Sequence, residues 1–222
     1  MKLALFDLDG TLLPIDSDHA FGEFMIDIGW TDADAYRSRN DAFYEQYKAE
    51  NLDIAAYVEF CTSPWRERTP AEQRDAQRLF VERVARPALR AQALGLVQRH
   101  RDAGALPVVV TATNEFVTRP IAGLFGIDEL IATDLERDAQ GRVTGAIRGT
   151  ASFREGKVRR VDEWLRASGR RWTDFEAQIF YSDSINDLAL LERVSHPVAT
   201  NPGPALETVA RRRGWPILRL FE

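Results

Sequence analysis

The spacing of the short apolar runs is what most constrains this fold. Leu3–Phe6, Leu106–Val110, Glu129–Ala132, Gln178–Tyr181, Pro197–Ala199 and Pro216–Leu218 are too short for buried helices, and turn-forming residues bound them. Helical patterns over 87–103, 114–125, 156–168, 186–193 and 204–213 fall between or after the later runs. Strand–helix alternation of this kind builds an α/β protein around a doubly wound parallel sheet. Thr133–Arg137 and Arg142–Ile147 flank Asp138-Ala139-Gln140-Gly141, which predicts a hairpin attached to the sheet edge.

The alternation is interrupted once. Between Leu13 and residue 87 there is no strand pattern, only aromatic-rich helical periodicity. Phe21, Phe24, Met25 and Ile28 share one face, while Tyr36, Phe43, Tyr44 and Tyr47 mark another. Leu52–Cys61 and Pro70–Val84 predict two more helices, broken at Ser63-Pro64 and Thr69-Pro70. A structureless loop of that length is uncommon, so a helical insert is expected. The expected division is a core of residues 1–14 and 86–222, with residues 15–85 as the insert.

Composition removes several function classes. A net charge of −5 argues against a nucleic-acid footprint. Arg211-Arg212-Arg213 reads as a solvated helix face near Glu207. Cys61 is the one cysteine, which excludes an intrachain disulfide or a Cys-x-x-Cys site. His19, His100 and His196 lack zinc-ligand spacing. No apolar run approaches the roughly 18 residues of a membrane span. The apolar stretch before Asp7 is also too short for a signal peptide. A cytoplasmic location and no membrane partner are expected.

The polar residues at the strand ends carry the chemistry. Asp7-Leu8-Asp9-Gly10-Thr11 follows the first run, on the side of an open α/β sheet where ligands bind. Extended alternation directs Asp7 and Asp9 the same way, and Gly10 permits the turn. Ser182-Asp183-Ser184-Ile185-Asn186-Asp187 follows the run Gln178–Tyr181. Helix capping accounts for one of its acids, but poorly for three polar acceptors in five residues. Thr111-Ala112-Thr113-Asn114 ends an apolar run as a helix begins, where free N–H groups favour an anion; Thr113 or Asn114 also suits an N-cap. Lys157 alone is one lysine among many. The strand ends together bring carboxylates, a hydroxyl and a lysine, the components of a phosphate site.

These four motifs resemble those of the haloacid dehalogenase (HAD) superfamily phosphatases, in the phosphoserine-phosphatase-like branch (subfamily IB), and the resemblance covers essentially the whole chain. It implies a Rossmann-like core with a type 1 cap inserted after the first strand. It implies phosphomonoester hydrolysis with Mg²⁺ and a phospho-aspartate on Asp7. The ligands implied are the carboxylates of Asp7 and Asp183 and the backbone carbonyl of Asp9. Oxygen-only ligands suit Mg²⁺. The Asp9 side chain is the implied acid and base, and Thr111, Ala112, Lys157 and Asn186 the phosphate side. Asp187 and Asn114 are implied supports. Dehalogenase relatives lack the second acid, so Asp9 points to phosphatase or phosphomutase chemistry.

The implied substrate is a small phosphorylated metabolite. Phosphoserine phosphatases carry a Glu nine residues after the nucleophile and a cap Arg. Here Asp16 stands at the first position, where it either touches substrate or caps a helix starting near Asp18. The candidate cap arginines are Arg37, Arg39, Arg66 and Arg68. The run Asp16-Ser17-Asp18-His19 is polar, and an acidic pair near the substrate suits an amine-bearing ester such as phosphoserine or histidinol phosphate. Phosphoryl transfer to another alcohol and a catalytically inactive phosphate-binding module are the competing functions. The sequence leaves oligomeric state open.

Overall fold

The computed structural model describes residues 1–49 and 51–221. Strand β1 (Lys2–Phe6) opens the chain. A helical stretch follows: α1 (Ser17–Asp27), α2 (Ala33–Lys48), α3 (Ile54–Thr62) and α4 (Pro70–Phe80). Helix α4 continues through a π-helical turn into the short α5 (Arg86–Ala88), and α6 is Ala91–Asp102. Then come β2 (Leu106–Asn114), α7 (Glu115–Leu124), β3 (Glu129–Thr133), β4 (Leu135–Arg137) and β5 (Val143–Ile147). The chain ends with α8 (Glu155–Ala167), β6 (Ala177–Ser182), α9 (Leu188–Arg193), β7 (His196–Thr200), α10 (Pro204–Arg213) and β8 (Ile217–Leu218). No described helix is long and apolar enough to cross a membrane.

Six strands form one sheet in the order β3-β2-β1-β6-β7-β8, with every neighbouring pair parallel. From β1 the chain first builds outward through β2 and β3, then returns to place β6 on the other side. That reversal opens a crevice at the carboxyl ends of the central strands. Helices bury both faces, as the period of a strand requires: Ala4 and Phe6 enter one hydrophobic cluster, Leu3 and Leu5 the other.

The helices after β1 do not form a free-standing unit. Phe21 and Phe24 of α1 and Phe80 of α4 belong to the same cluster as Ala4 and Phe6. Phe21 meets Phe80 edge-on with centroids 4.9 Å apart. A third, smaller cluster joins α2 and α3, where Tyr36 stacks on Phe60 at 4.4 Å. Helices α1 and α4 thus anchor the insert, and α2 and α3 form an outer layer.

Two expectations change in detail. The helix expected over 87–103 is split, because Leu89 and Arg90 are extended. The Arg90 guanidinium donates to the carbonyls of Pro87, Ala88 and Leu89 at 3.1 Å each, which ends α5. The hairpin exists, but β4 and β5 form a separate two-stranded sheet packed on α3 rather than extending the main edge. The Leu135 N–H is taken by the Glu115 carboxylate at 2.9 Å, which diverts the chain from strand pairing.

Candidate active site

The floor is assembled at the ends of β1, β6 and β2, with a lysine from α8. Asp7 follows β1 and is 5% exposed, and Lys157 is 3% exposed. Lys157 Nζ donates to Asp7 Oδ1 at 2.8 Å and to Asp187 Oδ2 at 2.7 Å. Ser182 Oγ also donates to Asp187 Oδ2, at 2.7 Å. Helix α8 reaches this depth because Gly156 lies against the Ala151 carbonyl; a Cβ there would stand 2.0 Å from that oxygen. The Thr11 hydroxyl is 3.3 Å from both Asp7 Oδ2 and Asp183 Oδ1. Gly10 turns the chain at φ +74°, and a Cβ would meet Asp183 Oδ2 at 2.3 Å. Asn201 Nδ2 braces the loop from β7, donating to the Gly10 carbonyl at 2.8 Å.

Asp9 is held through both oxygens. Oδ1 accepts from Ser17 N at 2.8 Å and Oδ2 from Thr113 Oγ1 at 3.0 Å. The acid is therefore oriented jointly by the start of α1 and the end of β2. Asn114 caps α7 by accepting from Val117 N, and its Nδ2 donates to Asp18 Oδ1 at 3.3 Å. Asp16 is the N-cap of α1, accepting from Asp18 N and His19 N at 3.1 and 2.8 Å.

A cavity of about 260 Å³ rises from this floor. Asp7, Asp9, Thr111, Ala112, Thr113 and Asp183 line its base. Asp16, Asp18 and His19 of the α1 region line its wall, with Phe43, Tyr44, Tyr47 and Tyr57 from α2 and α3. Among the described residues, no lysine or arginine lines it.

Negative charge is crowded here. Burial, then Asp16 and Asp7, push the Asp9 carboxyl well above its ordinary range. Burial, then Asp7 and Asp187, do the same to Asp183. Burial together with Asp7 lifts Asp187 to about 6 against the pull of Lys157. Burial opposes the charge on Lys157, but Asp187 and Asp7 outweigh it and hold the lysine cationic. On the wall, burial and Asp16 raise Asp18 to about 7. The Tyr47 phenol is pushed up by burial and by Asp183, Asp7 and Asp187.

The sequence model of the haloacid dehalogenase-like hydrolases matches residues 4–192. The chain belongs to that family. It is 41% identical over 217 residues to a histidinol-phosphatase of Neisseria meningitidis serogroup C, covering 98% of each chain. A crystal structure of a Bordetella pertussis Tohama I protein of unknown function superposes with a TM-score of 0.93 at 47% identity, over 99% of both chains. A substrate-bound phosphoserine phosphatase superposes with a TM-score of 0.68 at 16% identity, over 98% of this chain and 92% of that one. That last likeness is one of fold.

The structure sorts the residues singled out in the sequence. Asp7, Asp9, Thr111, Ala112, Asp16 and Asp183 meet in the family's crevice, and Lys157 and Asp187 support Asp7 from below. Asn114 acts on Asp18 rather than on the cavity. Asn186 does not line the cavity: its Nδ2 donates to the Tyr47 carbonyl at 3.2 Å and its Oδ1 accepts from Arg154 at 3.2 Å. None of the four candidate arginines lines it either. Arg37 pairs with Glu23 at 2.8 Å, Arg39 and Arg68 lie over Phe60 and Trp30, and Arg66 is 3.9 Å from Glu67. Sequence reasoning gave no site role to Thr11, His19, Tyr44, Tyr47 or Tyr57. Thr11 and Thr113 were within reach of it, since both belong to the quoted motifs. The insert residues were not, because their helical faces are set by packing.

Proposed function

We propose that the chain hydrolyses a small phosphomonoester whose alcohol carries a cationic nitrogen, through a phospho-aspartate on Asp7, with histidinol phosphate as the first candidate. The chain is a phosphatase of its family, with residues 1–14 and 86–222 as the catalytic core and 15–85 as a cap over the crevice. The observation that carries the reading is the cavity lining. A nucleophile and a doubly held second acid share the base, and the wall is acidic and aromatic, with no arginine or lysine among the described residues that line it.

The residues divide the reaction between them. Asp7 attacks phosphorus while Lys157 fixes its carboxylate from below, and Thr111 in the cavity base meets the phosphoryl oxygens. Asp9 protonates the departing alkoxide. It then takes a proton from the water that attacks the acyl phosphate. Its upward-shifted carboxyl suits the first of these roles. Lids that exclude water before such an intermediate forms are a general device, and the insert is placed to act as one.

The site fits a hard divalent cation. Asp7, Asp9, Asp183 and Asp187 gather four carboxyls near one ammonium, which pairs only with Asp7 and Asp187, so positive charge is in deficit. No group of three or more acid, histidine or cysteine side chains has metal-ligating placement among the described residues. The set proposed here needs only two, the carboxylates of Asp7 and Asp183, with the Asp9 carbonyl. All three donors are oxygens, and Mg²⁺ usually keeps several waters besides. Mg²⁺ bound there would neutralise the encounter between carboxylate and phosphate dianion.

Phosphoserine fits less well, because its carboxylate would face Asp16 and Asp18 with no arginine in the lining. The test is turnover of histidinol phosphate, phosphoserine and p-nitrophenyl phosphate by purified protein with Mg²⁺. Histidinol phosphate is expected to exceed phosphoserine by about tenfold or more in kcat/KM, the effect of one charge-assisted contact. Asp7→Asn is expected to stay folded and fall to background. Wild-type turnover by Asp7→Asn, or by chelated protein, would overturn the mechanism.

A further inference from the structure

The two carboxylates on the cavity wall are not equivalent. Asp16 is occupied by its own helix: Oδ1 accepts two N–H groups, and the start of an 11-residue helix favours its charge. Asp18 is met by neutral side-chain donors alone. It is 5% exposed and accepts from the Asn114 amide at a long 3.3 Å, from the Tyr57 phenol and from the Cys61 thiol. The charge beside it is Asp16, of the same sign. A buried carboxylate surrounded by neutral donors is costly unless a cation meets it; among the described residues no lysine or arginine lines the cavity, and the one histidine that does, His19, pairs with Asp41 at 2.9 Å.

The rest of the wall suits a flat cation. Tyr57 and Tyr44 line the same cavity, and aromatic faces attract both imidazolium and ammonium groups. Asp18 is also tied to the chemistry by sequence adjacency. Its partner Asn114 directly follows Thr113, whose hydroxyl holds Asp9. A leaving group anchored at Asp18 is therefore registered against the residue pair that sets the proton donor.

We infer that Asp18 is the specificity-determining residue of this enzyme: its carboxylate takes the cationic nitrogen of the leaving alcohol, whose ring lies against Tyr57 and Tyr44. The inference rests on the phosphatase reading of the same cavity, and it moves the cation contact from Asp16 to Asp18. Asp16 is left as the cap of α1.

The experiment pairs steady-state kinetics with calorimetry. Asp18→Asn and Asp18→Ala are assayed on histidinol phosphate and p-nitrophenyl phosphate, and L-histidinol is titrated into each protein without turnover. A loss of about ten- to a hundred-fold in kcat/KM is expected on the cationic ester, mostly in KM. That loss is expected to exceed the loss on p-nitrophenyl phosphate by about tenfold. Histidinol affinity falls in parallel. Equal losses on both esters, or unchanged histidinol binding in both variants, overturns the role of Asp18 while leaving the phosphatase reading intact. If wild type cleaves no phosphomonoester, that reading fails, and the histidinol titration still decides whether Asp18 holds a cation.

Discussion

Asp18 also sets up a measurable conflict between stability and binding. Its carboxyl rises from 3.8 to about 7 through burial and the neighbouring Asp16. The native state therefore holds a proton that the unfolded chain releases between those two pH values. Stability from this group is complete below pH 3.8 and is lost as pH rises through about 7. Each unit corresponds to 1.36 kcal/mol, so the charged group costs about 4 kcal/mol at alkaline pH. Water entering the cavity reduces that, and about 2 kcal/mol is a working figure. Asp18→Asn removes the charge and keeps the shape, and a turned amide still offers an oxygen to Asn114. The variant is expected to melt about 4–8 °C above wild type at pH 8, by the usual scaling for a chain of this size. The gap should close toward pH 5. Thermal melts of both proteins at pH 5, 6, 7 and 8, with and without Mg²⁺, supply the measurement. Other carboxyls shift in the same direction, but they are common to both proteins and cancel in the difference. A variant less stable than wild type at pH 8, or a gap independent of pH, would refute the claim that Asp18 is a desolvated charge that its neutral donors do not offset.

Three further outcomes follow from the floor. Lys157→Met leaves Asp7 and Asp187 buried without their shared cation; it should cost about 3–5 kcal/mol in urea melts of metal-free protein, and Mg²⁺ should recover part of that. Gly10→Ala forces a side chain into a left-handed turn and against Asp183, so the Mg²⁺ concentration for half-maximal activity should rise, with a stability loss of about 1–2 kcal/mol. Chelation should abolish turnover, Mg²⁺ should restore it, and Ca²⁺ should do so poorly because its coordination is larger and looser; full activity in excess chelator would sink the metal proposal.

The parts legible in the sequence are those fixed by strand ends. Asp7, Thr111 and Asp183 each follow or end a short apolar run, and parallel strands deliver such residues to one edge whatever the connecting helices do. Lys157 taken alone is a weak signal, because its burial depends on Gly156 packing against Ala151, a close approach that no local pattern announces. The wall was harder still. Asp18 looks like any first-turn acid, and its isolation appears only when α3 brings Tyr57 and Cys61 against it. Tyr44, Tyr47 and Tyr57 lie on helices whose apolar residues serve both the α2–α3 contact and the cavity, so periodicity cannot say which ring does which. The arginines are hard to rank for a related reason: the sequence shows their charge but not the partners that hold Arg37 against Glu23 and lay Arg39 and Arg68 over Phe60 and Trp30. The reaction is thus written in residues that the sheet aligns. Selectivity depends on the pairing of helices outside it, where a carboxylate such as Asp18 gains its function from the cation that its surroundings lack.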